Sequence, residues 1–208
     1  MLFYNTISPQ LLELLKNIRE LSVFDDLRLV GGTSLALQIG HRKSIDIDLF
    51  GIVDYDDYEI QQALGSLGNI TVLNKTKNIN IFLVNGIKVD IVNYKYKWLK
   101  EINNIDNLRL SGLEDIAAMK LNAISGRGTK KDFIDIYFLL QHFSLSEMLI
   151  FYNEKYYDGS TFLVLKSLTY FEDAEKEELP KMIKQVKWEN VKKTVENATI
   201  NFLKKQNE

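Results

Sequence analysis

The sequence contains no cysteine and only two histidines, His41 and His142. Without cysteine the chain has no disulfide, no thiolate zinc site and no cysteine nucleophile. Two histidines are too few for a multi-histidine metal centre. A metal site would therefore have to use oxygen ligands, which favours magnesium, manganese or calcium.

Long apolar runs and a strong net charge are also missing. No stretch of about 18 apolar residues is present, so we expect neither a transmembrane helix nor a membrane partner. The N-terminus lacks a basic segment followed by an apolar core, so no secretory signal is expected and the cytoplasm is the expected location. The formal net charge of −2 gives no overall basic field for nucleic-acid binding. Nucleic acid could then bind only through a local basic patch.

Among what is present, two aspartates one residue apart are the most informative feature. Asp46 and Asp48 lie in the segment Ile45 to Phe50, where apolar and acidic residues alternate with the period of a β-strand. On a strand the two carboxylates would share one face and could share a divalent metal ion. The alternative is an edge strand with a solvated acidic face and no function in binding. An isolated Asp-x-Asp pair more often belongs to such a strand.

A third carboxylate comes from a predicted hairpin. Asn85-Gly86 is a strong hairpin signal between two predicted strands. In the second arm Asp90 lies on the face opposite to Val89 and Ile91. If this arm lies beside the strand of the two aspartates, three carboxylates converge, and like charges so close need a cation. A pair of Mg²⁺ ions could supply this positive charge and could activate a displacement at phosphorus.

A glycine pair precedes the aspartates. Gly31 and Gly32 follow a short predicted strand and let the backbone approach a ligand closely. Thr33 and Ser34 open the next predicted helix, whose first N–H groups and dipole favour a phosphate. The alternative is an ordinary strand-to-helix turn. The glycine pair alone is weak evidence for a phosphate site. Much more specific is the full order of elements, namely a strand, Gly-Gly, a helix and a strand with Asp-x-Asp.

The distribution of these patterns predicts an α+β protein. Strand patterns dominate the N-terminal half after a first helix, and helix patterns follow from about residue 111 onward. We expect a mixed β-sheet with flanking helices in residues 1–98 and a helical C-terminal region, residues 99–208, packed against it. The predicted helix caps are Ser8, Ser111, Thr129 and Ser144.

Four segments of the chain resemble a known superfamily. Val30-Gly31-Gly32-Thr33-Ser34 followed by Asp46-Ile47-Asp48 resembles the signature of the DNA-polymerase-beta-like nucleotidyltransferases. Within that superfamily the chain most resembles the abortive-infection toxins of the AbiEii/AbiGii type, over roughly residues 28–141. The matching segments are residues 31–48 with Arg42-Lys43, Lys88-Val89-Asp90, residues 115–120, and Arg127 with residues 131–135.

This resemblance implies a nucleotidyltransferase-like fold and roles for the matching residues. Asp46, Asp48 and Asp90 would be catalytic and would bind Mg²⁺ or Mn²⁺, with Asp90 also acting as general base. Lys120 would be catalytic as a point charge on the phosphates. The implied nucleotide-binding residues are Gly31, Gly32, Thr33, Ser34, Lys120, Arg127, Lys131, Asp132 and Asp135.

The implied activity is transfer of a nucleoside monophosphate from a nucleoside triphosphate (NTP) to an acceptor hydroxyl, with release of pyrophosphate. The acceptor stays open among an RNA, a protein and a small molecule. The resemblance suggests transfer RNA or another RNA as one acceptor, and it implies a toxin held in check by an antitoxin protein. Two other functions stay open. One is an interaction module that keeps the fold without turnover, and the other is a small-molecule nucleotidyltransferase of the aminoglycoside-modifying type.

The helical site residues also have a simpler interpretation that does not use the resemblance. Asp132 would complete a capping box begun by Thr129, and Asp135 would pair with Lys131 one turn earlier. The residues alone favour this simpler interpretation.

Overall fold

The computed structural model describes residues 1–206. The chain forms two compact units: Met1–Tyr96 with Glu101–Ser111, and Lys97–Lys100 with Gly112–Glu208. We call them the sheet unit and the helical unit. The division into domains at residue 98 stays a prediction. Within the described residues, no helix is long and apolar enough to cross a membrane.

The sheet unit begins with a helix that the sequence predicts correctly. The Ser8 hydroxyl oxygen accepts a hydrogen bond from the Leu11 N–H, and Pro9 occupies the first helical position. The helices of this unit are α1 (Pro9–Arg19), α2 (Gly31–Ile39) and α3 (Asp57–Gly65), with 3-10 turns at Tyr4–Thr6 and Ser22–Phe24. The strands are β1 (Leu27–Leu29), β2 (Ile47–Gly51), β3 (Ile70–Lys75), β4 (Ile79–Val84), β5 (Ile87–Asn93), β6 (Asn103–Ile105) and β7 (Leu108–Leu110).

Within residues 1–206 these strands form one seven-stranded sheet in the order β3-β4-β5-β2-β1-β7-β6. The pairs β2–β5 and β1–β7 are parallel and the other pairs are antiparallel. A mixed sheet with flanking helices confirms the predicted α+β fold. The predicted hairpin at Asn85-Gly86 is confirmed as well, and both residues have the positive φ that its turn requires.

The β6–β7 hairpin was not predicted. Its turn is formed by Asp106 and Asn107, which have φ values of 51° and 65°. Asn and Asp tolerate this left-handed conformation better than other residues with a side chain. The Asp-Asn pair between Ile105 and Leu108 was therefore the signal that could have revealed the hairpin.

Strand alternation places the hydrophobic core on one face of the sheet. Ile47 and Leu49 of β2 are buried, as are Val89 and Ile91 of β5, while the residues between them are half-buried. Because side chains alternate across a strand, those intervening residues point away from the core. They include two of the predicted site residues.

The helical unit confirms one predicted capping box and contradicts another. The Ser144 hydroxyl accepts from the Glu147 N–H, and the Glu147 carboxylate accepts from the Ser144 N–H. The box predicted at Ser111 is wrong, because the Ser111 N–H instead donates to the Leu29 carbonyl oxygen and Gly112 caps the helix. The helices are α4 (Leu113–Gly126), α5 (Lys130–Leu139), α6 (Leu145–Lys155), α7 (Thr161–Ser167), α8 (Glu172–Glu175) and α9 (Trp188–Gln206).

A buried ion pair joins the segment Lys97–Lys100 to α4 and α6. Lys155 Nζ lies 2.7 Å from Asp115 Oδ1, and both side chains are fully buried. The same ammonium donates to the Lys97 carbonyl oxygen at 2.8 Å. The Asp115 carboxylate also accepts hydrogen bonds from the N–H groups of Leu99 and Lys100. Every partner in this cluster is therefore satisfied inside the helical unit.

We expect Lys155→Met to destabilise the protein by about 3 kcal/mol, because it leaves the Asp115 carboxylate buried without its cation. Urea unfolding followed by circular dichroism measures the change. Lys166→Met, at an exposed position of α7, is the matched control, and its free energy of unfolding should change by about 0.5 kcal/mol or less. Equal effects of the two substitutions would contradict a structural role for the pair.

Candidate active site

Strands β2 and β5 place two of the predicted carboxylates side by side. The strands are parallel, and their register pairs Asp48 with Asp90. Neighbouring strands lie about 4.8 Å apart, so the two acidic side chains leave the same face at adjacent positions. The sequence predicted converging carboxylates if the second arm of the hairpin lay beside the strand of the aspartates. The structure shows this arrangement for Asp48 and Asp90.

The third carboxylate, Asp46, lies just outside the strand. β2 begins at Ile47, so the strand predicted from Ile45 begins two residues too early. The reason is the Thr33 hydroxyl, which donates to the Asp46 carbonyl oxygen and lies 2.8 Å from the Ser44 hydroxyl. These hydrogen bonds fix the segment before β2, and they take the role that strand pairing would otherwise have there.

The glycine pair lies within the first turn of α2, which begins at Gly31 rather than at Thr33. Gly31 has a φ of 65°, a conformation that favours glycine. A Cβ atom at Gly31 would clash with the Asp48 carboxylate, and one at Gly32 would clash with the Arg42 guanidinium. The two glycines therefore allow an acidic and a basic side chain to approach the start of the helix.

The side chains of Thr33 and Ser34 are fully buried. The Thr33 hydroxyl binds the loop before β2, and the Ser34 hydroxyl accepts a hydrogen bond from Gln38 Nε2 at 3.1 Å. A phosphate at this helix would therefore meet backbone N–H groups rather than these hydroxyls. The nucleotide-binding role of Gly31, Gly32 and the two hydroxyl residues stays a prediction.

Asp90 has one oxygen in an ion pair and one without a partner. Lys88 Nζ lies 2.6 Å from Asp90 Oδ2, and the two side chains are 38% and 17% exposed. Asp90 Oδ1 is buried and has no hydrogen-bond partner among the described residues. A buried carboxylate oxygen without a partner is costly unless a ligand satisfies it. Lys88 was missed as a site residue, although its place two residues before Asp90 puts it on the same strand face.

The donors present fit a hard divalent cation better than any other metal. Within residues 1–206, no three Asp, Glu, His or Cys side chains are grouped closely enough to hold a metal ion. Mg²⁺, however, is commonly held by one or two carboxylates together with substrate phosphates. Asp48 and Asp90, adjacent in the β2–β5 register, could supply that pair. The metal site of Asp46, Asp48 and Asp90 stays a prediction.

The helical unit brings together Lys120 of α4 and two carboxylates of α5. Lys120 Nζ lies 2.9 Å from Asp132 Oδ1 and 2.6 Å from Asp135 Oδ2, and all three side chains are nearly or fully buried. Asp135 thus forms its ion pair with Lys120, so the simpler interpretation that paired it with Lys131 is wrong. Lys131 is exposed.

Asp132 is the centre of this network. The Arg127 guanidinium donates to both of its carboxylate oxygens, at 2.9 and 3.1 Å. The Thr129 hydroxyl donates to Asp132 Oδ2 instead of accepting from the helix backbone, so the capping box predicted at Thr129 is wrong. Burial alone would raise the pKa of the Asp132 carboxyl, but the Lys120 charge and the hydrogen bonds from Arg127 and Thr129 hold that pKa well below its usual value.

This network stabilises the packing of α4 against α5, independently of any role in nucleotide binding. The Lys120 charge is balanced by two buried carboxylates, and the Arg127 side chain remains 58% exposed while it binds Asp132. Bidentate binding fixes the guanidinium in one orientation. The roles of Lys120, Arg127, Lys131, Asp132 and Asp135 toward a nucleotide stay predictions.

The mixed sheet, with its paired carboxylates beside the first turn of α2, has the nucleotidyltransferase fold. Protein JHP933 of Helicobacter pylori has a similar structure, with a TM-score of 0.56 and 17% identity over 97% of this chain and 96% of that one. The nucleotidyltransferase toxin MenT4 of Mycobacterium tuberculosis H37Rv has a TM-score of 0.60 and 13% identity over 89% of this chain and 79% of its own. At these identities the likeness shows the fold.

Sequence comparison identifies the family. An uncharacterized protein of Aquifex aeolicus (strain VF5) is 37% identical over 171 residues, which is 79% of this chain and 83% of that protein. The family described as "Nucleotidyl transferase AbiEii toxin, Type IV TA system" matches residues 13–205. The chain belongs to this family and is a nucleotidyltransferase, which confirms the resemblance. The match also extends beyond residues 28–141 at both ends.

We expect Gly31→Ala to reduce activity strongly, because its Cβ would push the Asp48 carboxylate away and the backbone would have to keep a φ of 65°. Gly126→Ala is the matched control, since nothing lies within 4 Å of the added methyl group and alanine favours the helix. Steady-state turnover and thermal unfolding should be measured for both variants. Full activity of Gly31→Ala would show that the close approach of Asp48 to Gly31 is not needed for activity.

Asp132→Asn should lower the free energy of unfolding by about 3 kcal/mol near pH 7, because it removes the charge that Lys120 and Arg127 face. The lowered pKa of Asp132 fixes the sign of the pH dependence. Its contribution is complete above its unfolded pKa, near the usual value of 3.8, and is lost as the pH falls below that value.

The difference between wild type and Asp132→Asn should therefore shrink on acidification. Urea unfolding at about pH 7, 5 and 3 measures it, with Asp173→Asn at an exposed position of α8 as the control. A difference that stays constant down to pH 3 would show that the ionised carboxylate is not what stabilises the network.

Proposed function

We propose that this chain transfers a nucleoside monophosphate from an NTP to an acceptor hydroxyl in a metal-dependent reaction. The observation that carries the proposal is the pairing of Asp48 with Asp90 across parallel strands, next to the glycine pair that opens α2. Two adjacent carboxylates on the face away from the core repel one another, and a bound cation would relieve that repulsion.

The cation proposed at this site is Mg²⁺ or Mn²⁺, held by Asp48 and Asp90 with Asp46 one residue before the strand. It would supply positive charge against the triphosphate and the attacking oxygen. The N–H groups of the first turn of α2 would orient phosphate oxygens, since a helix N-terminus favours anions. The NTP is thus proposed to bind with its phosphates beside the first turn of α2 and the paired carboxylates.

Asp90 is the proposed general base. Its Oδ1 atom is the unsatisfied oxygen and is suited to accept the proton of the acceptor hydroxyl. The hydroxyl oxygen then forms a bond to the α-phosphorus, and the bond from that phosphorus to the bridging oxygen of the β-phosphate breaks. Pyrophosphate carries away the electron pair, so the products are nucleotidylated acceptor and pyrophosphate.

The acceptor and the cellular setting are further parts of the proposal. We infer that the acceptor is an RNA, with transfer RNA as the first candidate, and that the protein acts in the cytoplasm together with an antitoxin. The description of the matched family as a toxin of a type IV toxin–antitoxin system supports the pairing. An RNA acceptor offers the hydroxyl that the reaction needs.

We expect wild-type protein to label RNA when it is incubated with α-labelled NTPs, Mg²⁺ and total RNA. Asp48→Asn should reduce the labelling rate by on the order of 100-fold, because it removes one of the two charges that hold the cation. The matched control is Asp54→Asn, which changes an exposed aspartate in the loop after β2 and should leave the rate unchanged. Labelled RNA is resolved by gel electrophoresis.

Two results would count against this function. Equal labelling by wild type and Asp48→Asn would remove the paired carboxylates from the mechanism. Labelling of an added small aminoglycoside, with none of RNA, would keep the chemistry and overturn the proposed acceptor. Folding of each variant is checked by thermal unfolding.

A further inference from the structure

Lys88 lies next to the paired carboxylates. It is two residues before Asp90 on β5, so both side chains leave the same face of the strand. Its ammonium lies 2.6 Å from Asp90 Oδ2. In the β2–β5 register Ile47 pairs with Val89, and Asp46 and Lys88 are the residues that directly precede this pair in the sequence.

The carboxylates need a positive charge even when no substrate is bound. Asp48 and Asp90 are register partners, and two such charges on adjacent strands are destabilising without compensation. Lys88 supplies that charge at Asp90 Oδ2, which is the oxygen left for a metal ion when Oδ1 accepts the proton of the acceptor hydroxyl.

We propose that Lys88 is a positioning residue that holds Asp90 in the nucleotide-free protein and has to release it before a metal ion can bind there. This inference rests on the proposed metal-dependent function. Lys88 therefore weakens metal binding by the protein alone, and the metal binds well only when it arrives with the triphosphate.

The side chain of Lys88 is suited to this exchange. It is 38% exposed, so the ammonium can turn toward solvent without crossing the core. A lysine ammonium is a hydrated point charge on a flexible stem, unlike the rigid fork of arginine. Once released from Asp90, the Lys88 ammonium could form an ion pair with the triphosphate. Metal and nucleotide binding would then be coupled through one residue.

The first test measures Mn²⁺ binding without nucleotide, by electron paramagnetic resonance. Lys88→Met should bind Mn²⁺ about fivefold more tightly than wild type, because a competing ion pair and a nearby like charge are both removed. Lys88→Arg keeps the charge and should stay within about twofold of wild type. Lys16→Met on the exposed face of α1 removes one positive charge elsewhere and should also match wild type.

The second test measures the coupling. A non-hydrolysable triphosphate should tighten Mn²⁺ binding to wild type more than to Lys88→Met. Thermal unfolding gives an independent readout: Lys88→Met should melt at a lower temperature than wild type without Mn²⁺, and Mn²⁺ should raise its melting temperature more. If Lys88→Met does not fold, Lys88→Gln serves in its place.

The outcomes separate this inference from the proposed function. If Asp90→Asn loses Mn²⁺ binding but Lys88→Met binds like wild type or more weakly, the role of Lys88 is overturned and the metal site stands. If neither wild type nor Lys88→Met binds Mn²⁺, with or without triphosphate, the role of Lys88 and the metal dependence both fail. Tighter binding by Lys88→Met with a smaller triphosphate effect is the result that supports the inference.

Discussion

The parallel register between β2 and β5 is the constraint on which the candidate site depends. It sets Asp48 beside Asp90 because Ile47 and Leu49 enter the core together with the β5 residues that they face. A slip of one residue would turn the acidic side chains of one strand into the core and its apolar side chains outward. Burial of the core therefore fixes the position of the carboxylates, and no contact between the carboxylates themselves is needed.

The two units compensate their buried charges in different ways. In the helical unit the Lys155–Asp115 pair and the Lys120 network have cations bound to carboxylates, with backbone or hydroxyl donors completing the shell. In the sheet unit Asp90 Oδ1 is left without a partner. Complete compensation is what a stabilising network requires, whereas an incomplete one is suited to a ligand. This difference is why the proposed chemistry is assigned to the sheet unit.

Sequence patterns predicted what depends on local spacing and failed where distant residues decide. Alternation located Asp48 and Asp90, and Asn85-Gly86 located the hairpin that carries Asp90. The start of β2 could not be predicted, because the hydroxyl of Thr33 holds the backbone before it. The partner of Asp135 could not be predicted either, since a neighbour one turn away was equally plausible and Lys120 lies on another helix. Family resemblance grouped these helical residues where spacing could not.

The glycine pair changes meaning once the side chains around it are seen. The sequence suggested that Gly31 and Gly32 leave room for a phosphate, yet the space at Gly31 is taken by the Asp48 carboxylate. A carboxylate at the start of α2 is favoured by the helix dipole. Asp48 is thus drawn toward α2 while Asp90 is drawn toward Lys88. The helix N-terminus beside Asp48 and the ammonium beside Asp90 both favour negative charge, which explains how the strand pairing tolerates two adjacent carboxylates before any metal ion binds.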